Sequence, residues 1–181
     1  TAEMMNKSFS NAFSEAKIRE FNVVEGNSTF TAINGVLFYR SGEKVAGSDK
    51  EALWLAAYPR NASATDYTLT NYQNNDCIVT YVSPEAFTGV ENLLTLTIGV
   101  GVTQVGREAF TDMTALHTLN VGKDVRILGG DGTIANLFDG CGALQNIYVD
   151  AENTAYSDVD GVLFDKAQYL QFNEGSHNRY F

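Results

Sequence analysis

The chain has 181 residues, with 12 Lys and Arg against 22 Asp and Glu, a net charge of −10. Hydrophobic residues make up 44% and aromatics 12%, enough for a packed core and too apolar for a disordered chain. The acidic balance excludes a nucleic-acid binder, which needs a basic face, and docking on an anionic membrane; no run approaches the roughly 18 apolar residues of a membrane span.

In chain order, the first element is a short motif: Ala12-Phe13, then Ile18, Phe21 and Val23. Residues 21–38 follow as one unit. It reads as a strand (Phe21-Asn22-Val23), a polar Asn turn, an aromatic, and Asn34-Gly35 before the apolar Val36-Leu37-Phe38. Residues 147–164 repeat this unit without a gap, with Asp160-Gly161 before Val162-Leu163-Phe164. Asn-Gly and Asp-Gly tolerate positive φ, so each predicts a hairpin turn. Residues from about 41 to 80 read as an insertion. Within it, Leu53-Trp54-Leu55-Ala56-Ala57-Tyr58-Pro59 predicts an edge strand ending at Pro59.

A tighter repeat follows. Val82-Ser83-Pro84-Glu85-Ala86-Phe87 returns 23 residues later as Val105-Gly106-Arg107-Glu108-Ala109-Phe110, and Leu93, Leu96, Ile98 and Val102 return as Leu116, Leu119, Val121 and Val125. A third copy runs from Leu137-Phe138 to Val149, lengthened by the glycine-rich Gly129-Gly130-Asp131-Gly132-Thr133. A period of 23 lies within the leucine-rich range of about 20–29 residues. The expected architecture is α/β: a leucine-rich-repeat solenoid, β-rich, with short parallel strands and short helical turns, plus β-hairpin insertions. One solenoid domain is expected over residues 1–181, with repeat units near 9–24, 82–104, 105–127 and 128–150 and Gly-Val-Leu-Phe hairpin units at 25–60 and 151–175. The chain opens at Thr1 without a charged-then-apolar leader. The expectation is a processed or excised piece whose end units are atypical caps or cuts through a longer array.

Strand alternation assigns Phe87, Phe110 and Phe138, with Leu96, Leu119 and Ile147, to the core. The outward positions are Glu20 and Asn22; Thr95, Thr97 and Gly99; Thr118, Asn120 and Gly122; and Asn146, Tyr148 and Asp150. In a solenoid these line one continuous sheet surface, the kind such folds use for binding. Tyr148 is its best anchor, because exposed aromatics dominate interface energetics.

Catalytic and metal chemistry finds little support. His117 sits at a variable repeat position and His177 in the polar loop Gly175-Ser176-His177-Asn178; His117 reads as a satisfied or solvated side chain rather than the base of a nucleophilic triad. Asp158-Val159-Asp160-Gly161 is not an EF-hand, because Tyr156 and Ala167 fall where its end ligands belong. Gly99-Val100-Gly101 lacks the third glycine of a dinucleotide loop. No cofactor is expected. Cys77 and Cys141 form either one disulfide or two isolated thiols used as small apolar side chains. Asn6-Lys7-Ser8, Asn27-Ser28-Thr29 and Asn61-Ala62-Ser63 fit the glycosylation acceptor pattern. Trp54, Tyr58 and Tyr67 offer either core packing or an aromatic platform for a sugar.

Glu85-Ala86-Phe87, Glu108-Ala109-Phe110 and Phe138-Asp139-Gly140-Cys141, each followed by Leu-x-x-(Leu/Ile)-x-(Ile/Val), resemble the BspA-type leucine-rich repeat of bacterial surface proteins. Asn34-Gly35-Val36-Leu37-Phe38 and Asp160-Gly161-Val162-Leu163-Phe164 resemble the hairpin that punctuates such arrays, and Tyr58-Pro59 the dipeptide that closes it. The chain departs from the family pattern where Val90 and Met113 replace a cysteine, and the second hairpin lacks the proline, with Glu174 nearby. The resemblance implies a non-enzymatic module, extracellular or at the cell surface. It also implies adhesion to host or neighbouring-cell proteins, matrix or plasma proteins among them. Glycan binding and a structural spacer role are the alternatives.

Overall fold

A computed structural model describes residues 8–13, 16–70, 76–130, 134 and 136–167, with the backbone alone at Ser10 and Asn11. His177, Glu174, the end of the second hairpin unit, Asn6-Lys7, residues 71–75 and residues 131–133 of the glycine-rich loop lie outside the described residues. The strands are β1 (Phe30–Ile33), β2 (Val36–Lys44), β3 (Glu51–Ala57), β4 (Asp66–Leu69), β5 (Cys77–Val82), β6 (Thr95–Ile98), β7 (Gln104–Val105), β8 (Thr118–Val121), β9 (Asn146–Val149), β10 (Tyr156–Val159) and β11 (Val162–Asp165).

Two sheets face each other across the core. One is parallel, in the order β4-β6-β8-β9; the other runs β1-β2-β3-β5-β7, antiparallel up to β3 and parallel beyond it. The 23-residue period sets the register directly: Thr95 pairs with Thr118 and Leu96 with Leu119, while Tyr81 pairs with Gln104 and Gln104 bridges Ile127. The result is a β-solenoid of about three turns.

The α/β expectation with short helical turns is corrected. Among the described residues helix is confined to a four-residue 3-10 turn, Ser10–Phe13, and to Lys166-Ala167 at the end of the described chain. The Glu-Ala-Phe segments are turns, because the residues two before and two after each Phe adopt left-handed φ. These are Glu85 (58°) and Gly89 (71°), Glu108 (53°) and Asp112 (56°), and Asn136 (66°) and Gly140 (77°). A right-handed helix cannot pass through such residues. Their backbone bonds alternate: Ala86, Thr88 and Val90 donate three residues back within the turn, and the residues between them donate to the next repeat. The N–H groups of Glu85, Phe87 and Gly89 donate to the carbonyls of Arg107, Ala109 and Thr111 at 3.1, 2.9 and 2.9 Å.

The strand at Leu53-Trp54-Leu55 is also corrected. β3 lies between β2 and β5, so it is central and not an edge. Pro59 stands beyond the last strand residue, Ala57, and removes no ladder bond. The same stretch hides a further repeat. Tyr67 pairs with Leu96 and Leu69 with Ile98 across β4 and β6. Tyr58 takes the Phe position, and its N–H donates to Ala86 O at 2.8 Å, as that of Phe87 does to Ala109 O. The aromatic column therefore has four members. Tyr58, Phe87, Phe110 and Phe138 succeed one another at 5.3, 6.0 and 5.8 Å between ring centroids. Leu96, Leu119 and Ile147 close the core from the opposite side and are fully buried.

The 126-residue duplication is structural as well. Ile33 pairs with Val36 across Asn34-Gly35, and Val159 with Val162 across Asp160-Gly161. All four turn residues have positive φ, between 51° and 79°, as a two-residue type I′ hairpin requires. In each copy a strand-like segment donates to the turn: Phe21 N–H to Gly35 O at 2.8 Å, and Ile147 N–H to Gly161 O at 2.9 Å. In the second copy Val149 N–H also donates to the Asp158 carboxylate at 2.7 Å.

On the outer face of the β1–β7 sheet, Trp54 packs between Tyr39 and Tyr81, at 5.2 and 5.6 Å. Burial pushes the Tyr81 phenol from its ordinary value of 10 up to about 12, against a smaller lowering by Arg107. The neutral phenol is thus favoured by folding. Stability is expected to be intact below pH 10 and to fall as pH rises from there toward 12, while Tyr81→Phe flattens this loss. Denaturant midpoints across that window check it; an equal loss in Tyr81→Phe would sink the assignment.

Candidate functional site

The parallel sheet presents its alternate residues in columns, because register pairs like with like. Thr95, Thr118 and Asn146 form one column; Thr97, Asn120 and Tyr148 form the next. Gly99, Gly122 and Asp150 continue just past the strand ends. These are outward positions, alternating with buried Leu96, Ile98, Leu119, Val121 and Ile147. Asn120 Nδ2 donates to Thr97 Oγ1 at 2.9 Å, which fixes the amide along the second column. Tyr148 is 49% exposed.

Over the glycine column lies an open groove of about 380 Å³, walled by Thr97, Asn120, Tyr148, Asp150 and Val100. The two glycines are required. A Cβ on Gly122 would sit 2.5 Å from Ile98 O, and one on Gly99 would collide with Leu69 O. Successive backbones approach too closely there for a side chain, and both glycines line the groove. At its Asp150 end the field is negative. Lys123 donates to Glu152 at 2.9 Å, and that bond, with the charges of Glu152, Asp124 and Asp150, pushes its pKa above the ordinary 10.5. Asp150 Oδ1 accepts the Glu152 N–H at 2.9 Å, which orients the carboxylate.

Seven of the nine candidate residues are thus brought together: Thr95, Thr97, Thr118, Asn120, Asn146, Tyr148 and Asp150. Glu20 and Asn22 are not among them. They are exposed, but their segment forms no strand of the parallel sheet. Asn22 Nδ2 donates to Glu20 Oε1 at 3.3 Å, and Asn22 lines a separate cavity of about 560 Å³ among Phe9, Phe13, Phe21 and Phe30. Val100, on the groove wall, escaped the sequence reading because it lies in a turn, where strand alternation assigns no direction.

The aromatic sugar platform does not form. Trp54 is 4% and Tyr58 5% exposed, and they point to different layers, Trp54 to Tyr39 and Tyr81, Tyr58 to Tyr67 and Phe87. Cys77 and Cys141 are free, buried thiols. Burial raises both pKa values, and Cys141 Sγ donates to Phe110 O, so both act as small apolar side chains. Among the described residues no three His, Cys, Asp or Glu side chains converge as metal ligands. Nor is any helix among them long and apolar enough to cross a membrane.

Stacked parallel strands, inter-repeat turn bonds and an aromatic column define a leucine-rich-repeat β-solenoid. The model of the BspA-type leucine-rich repeat region matches residues 63–160 in six copies. The chain belongs to the BspA-type leucine-rich-repeat family. Among solved structures it is similar to a leucine-rich repeat protein from Eubacterium ventriosum ATCC 27560. The identity is 25% and the TM-score 0.56, over 74% of this chain and 30% of that one. It also matches a leucine-rich cell surface protein from Faecalibacterium prausnitzii A2-165, at 16% identity and a TM-score of 0.49, over 83% of this chain and 44% of that one. The pneumococcal vaccine antigen PcpA matches at 15% identity and 0.40, over 75% and 40%. The chain thus spans less than half the length of each of these structures. No curated protein sequence matches it.

Proposed function

We propose that this chain is a non-catalytic protein-binding module of an exported cell-surface protein. It engages its partner, a host matrix or plasma protein or a protein of a neighbouring cell, through the strand face around Asn120, Asn146 and Tyr148. The observation that carries this reading is the exposed Tyr148 ring on an otherwise small, polar, register-locked surface. A rigid aromatic beside a groove is the anchor that interfaces favour. Membership of a family whose resemblance implies surface proteins supports the location.

The test is binding of the purified chain to an immobilised panel of matrix and plasma proteins at low and physiological salt. Saturable binding to one member is expected, weaker at higher salt because the chain carries −10. Tyr148→Ala with Asn120→Ala should weaken it by about tenfold or more. A loss of less than about twofold would show that another face binds. A panel with no binding would favour a spacer role.

A further inference from the structure

We infer that the groove over Gly99 and Gly122 takes a cationic side chain, arginine above all, from an extended segment of the protein partner. This rests on the reading of the strand face as the binding surface and names what enters it. Three features of the groove converge on that chemistry. Its floor is two glycines held side-chain-free by backbone packing, so a long, thin side chain can lie flat along it. Its wall offers the exposed Tyr148 ring, and a planar guanidinium stacks on such a face more readily than an ammonium does. Its end carries a net negative charge. Asp150 lines the groove, and the carboxylates of Asp150, Asp124 and Glu152 outnumber the cations beside them: Lys123, whose ammonium is already bonded to Glu152, and Arg126, whose guanidinium donates to the Lys123 and Val125 carbonyls. An anionic segment would meet repulsion there, and a neutral one would leave the carboxylate without a counter-charge.

The experiment uses three synthetic glycine-serine peptides carrying two arginines, two lysines or two glutamates. Each is titrated into the chain, with the amide resonances of Gly99 and Gly122 as the readout. The arginine peptide should shift both amides and saturate. The lysine peptide should bind about fivefold more weakly, and the glutamate peptide should not bind. Tyr148→Ala and Asp150→Asn should each weaken the arginine peptide about fivefold, while Glu25→Gln, which removes an exposed charge away from the groove, should leave it within twofold. Equal affinity for arginine and lysine with no effect of either groove variant would overturn the inference, because diffuse attraction to an acidic chain predicts that result. Shifts of the same amides by a neutral oligosaccharide, with none from the arginine peptide, would overturn it in favour of sugar. The same variants are run against the protein panel. If a panel member depends on Tyr148 while the arginine peptide does not bind, the inference fails and the strand face stands; if neither binds there, both fail.

Discussion

Phe110→Ala is expected to destabilise the fold by about 3–5 kcal/mol, the usual range for emptying a fully buried aromatic site. Phe110 is 0% exposed. Its ring lies between Phe87 at 6.0 Å and Phe138 at 5.8 Å, so its loss opens a cavity shared by three turns of the solenoid. The backbone on either side cannot close in. The Phe87 N–H donates to Ala109 O, and Asp112 N–H donates to Asp139 O at 2.7 Å, which clamps the turn to both neighbours. Phe138, only partly buried at the end of the column, should cost distinctly less when truncated. Urea unfolding of the two variants makes the comparison. A loss below about 1 kcal/mol for Phe110→Ala would mean that the column is not the core.

Asn153→Ala is the second large effect. Asn153 is 1% exposed, and its side chain satisfies four backbone groups. Nδ2 donates to Gly122 O and Val125 O at 2.8 and 3.0 Å, and Oδ1 accepts from Ala155 N–H and Tyr156 N–H at 2.8 Å each. Truncation leaves these groups without partners in a place water reaches poorly, which costs about 3 kcal/mol or more. Its counterpart 126 residues earlier, Asn27, provides a built-in control. Asn27 Oδ1 caps Thr29 and Phe30 in the same way, at 2.9 and 2.8 Å, but it is exposed, so Asn27→Ala should cost about 1 kcal/mol. Asn153→Asp keeps the acceptor and loses both donations. It should fall near the alanine variant if the carbonyl contacts matter and near wild type if only the cap does. Equal losses at 27 and 153 would remove burial as the cause.

The repeats that share a length were readable because period and register are one quantity in a solenoid: 23 residues in sequence became Leu96 opposite Leu119. The repeat built on Tyr58, Tyr67 and Leu69 was not read, although Ala57-Tyr58 copies Ala86-Phe87. Its aromatic substitutions and altered spacing disguised it as part of an insertion. The turns were misjudged for a different reason. Glu85 and Glu108 have good helix propensity, yet both adopt left-handed φ; at Glu85 this goes with a bond to the next repeat, which local sequence does not encode. The proposed binding face was legible where strands exist, from Thr95 to Asp150. At Glu20 and Asn22 the alternation was present but the strand was not. The groove lies over two glycines that fall in one column, and that column emerges only when repeats are stacked.

The second hairpin has a bearing on how these molecules meet one another. Along β9 the N–H groups of Asn146 and Asp150 point back to β8, while those of Ile147 and Val149 are consumed by Gly161 O and the Asp158 carboxylate. A foreign strand arriving at that flank finds its donors already engaged and a negative charge in the way. Parallel sheets with open flanks polymerise readily. Here the flank is blunted by one loop and one carboxylate, so copies of the module brought side by side are kept from fusing through β9.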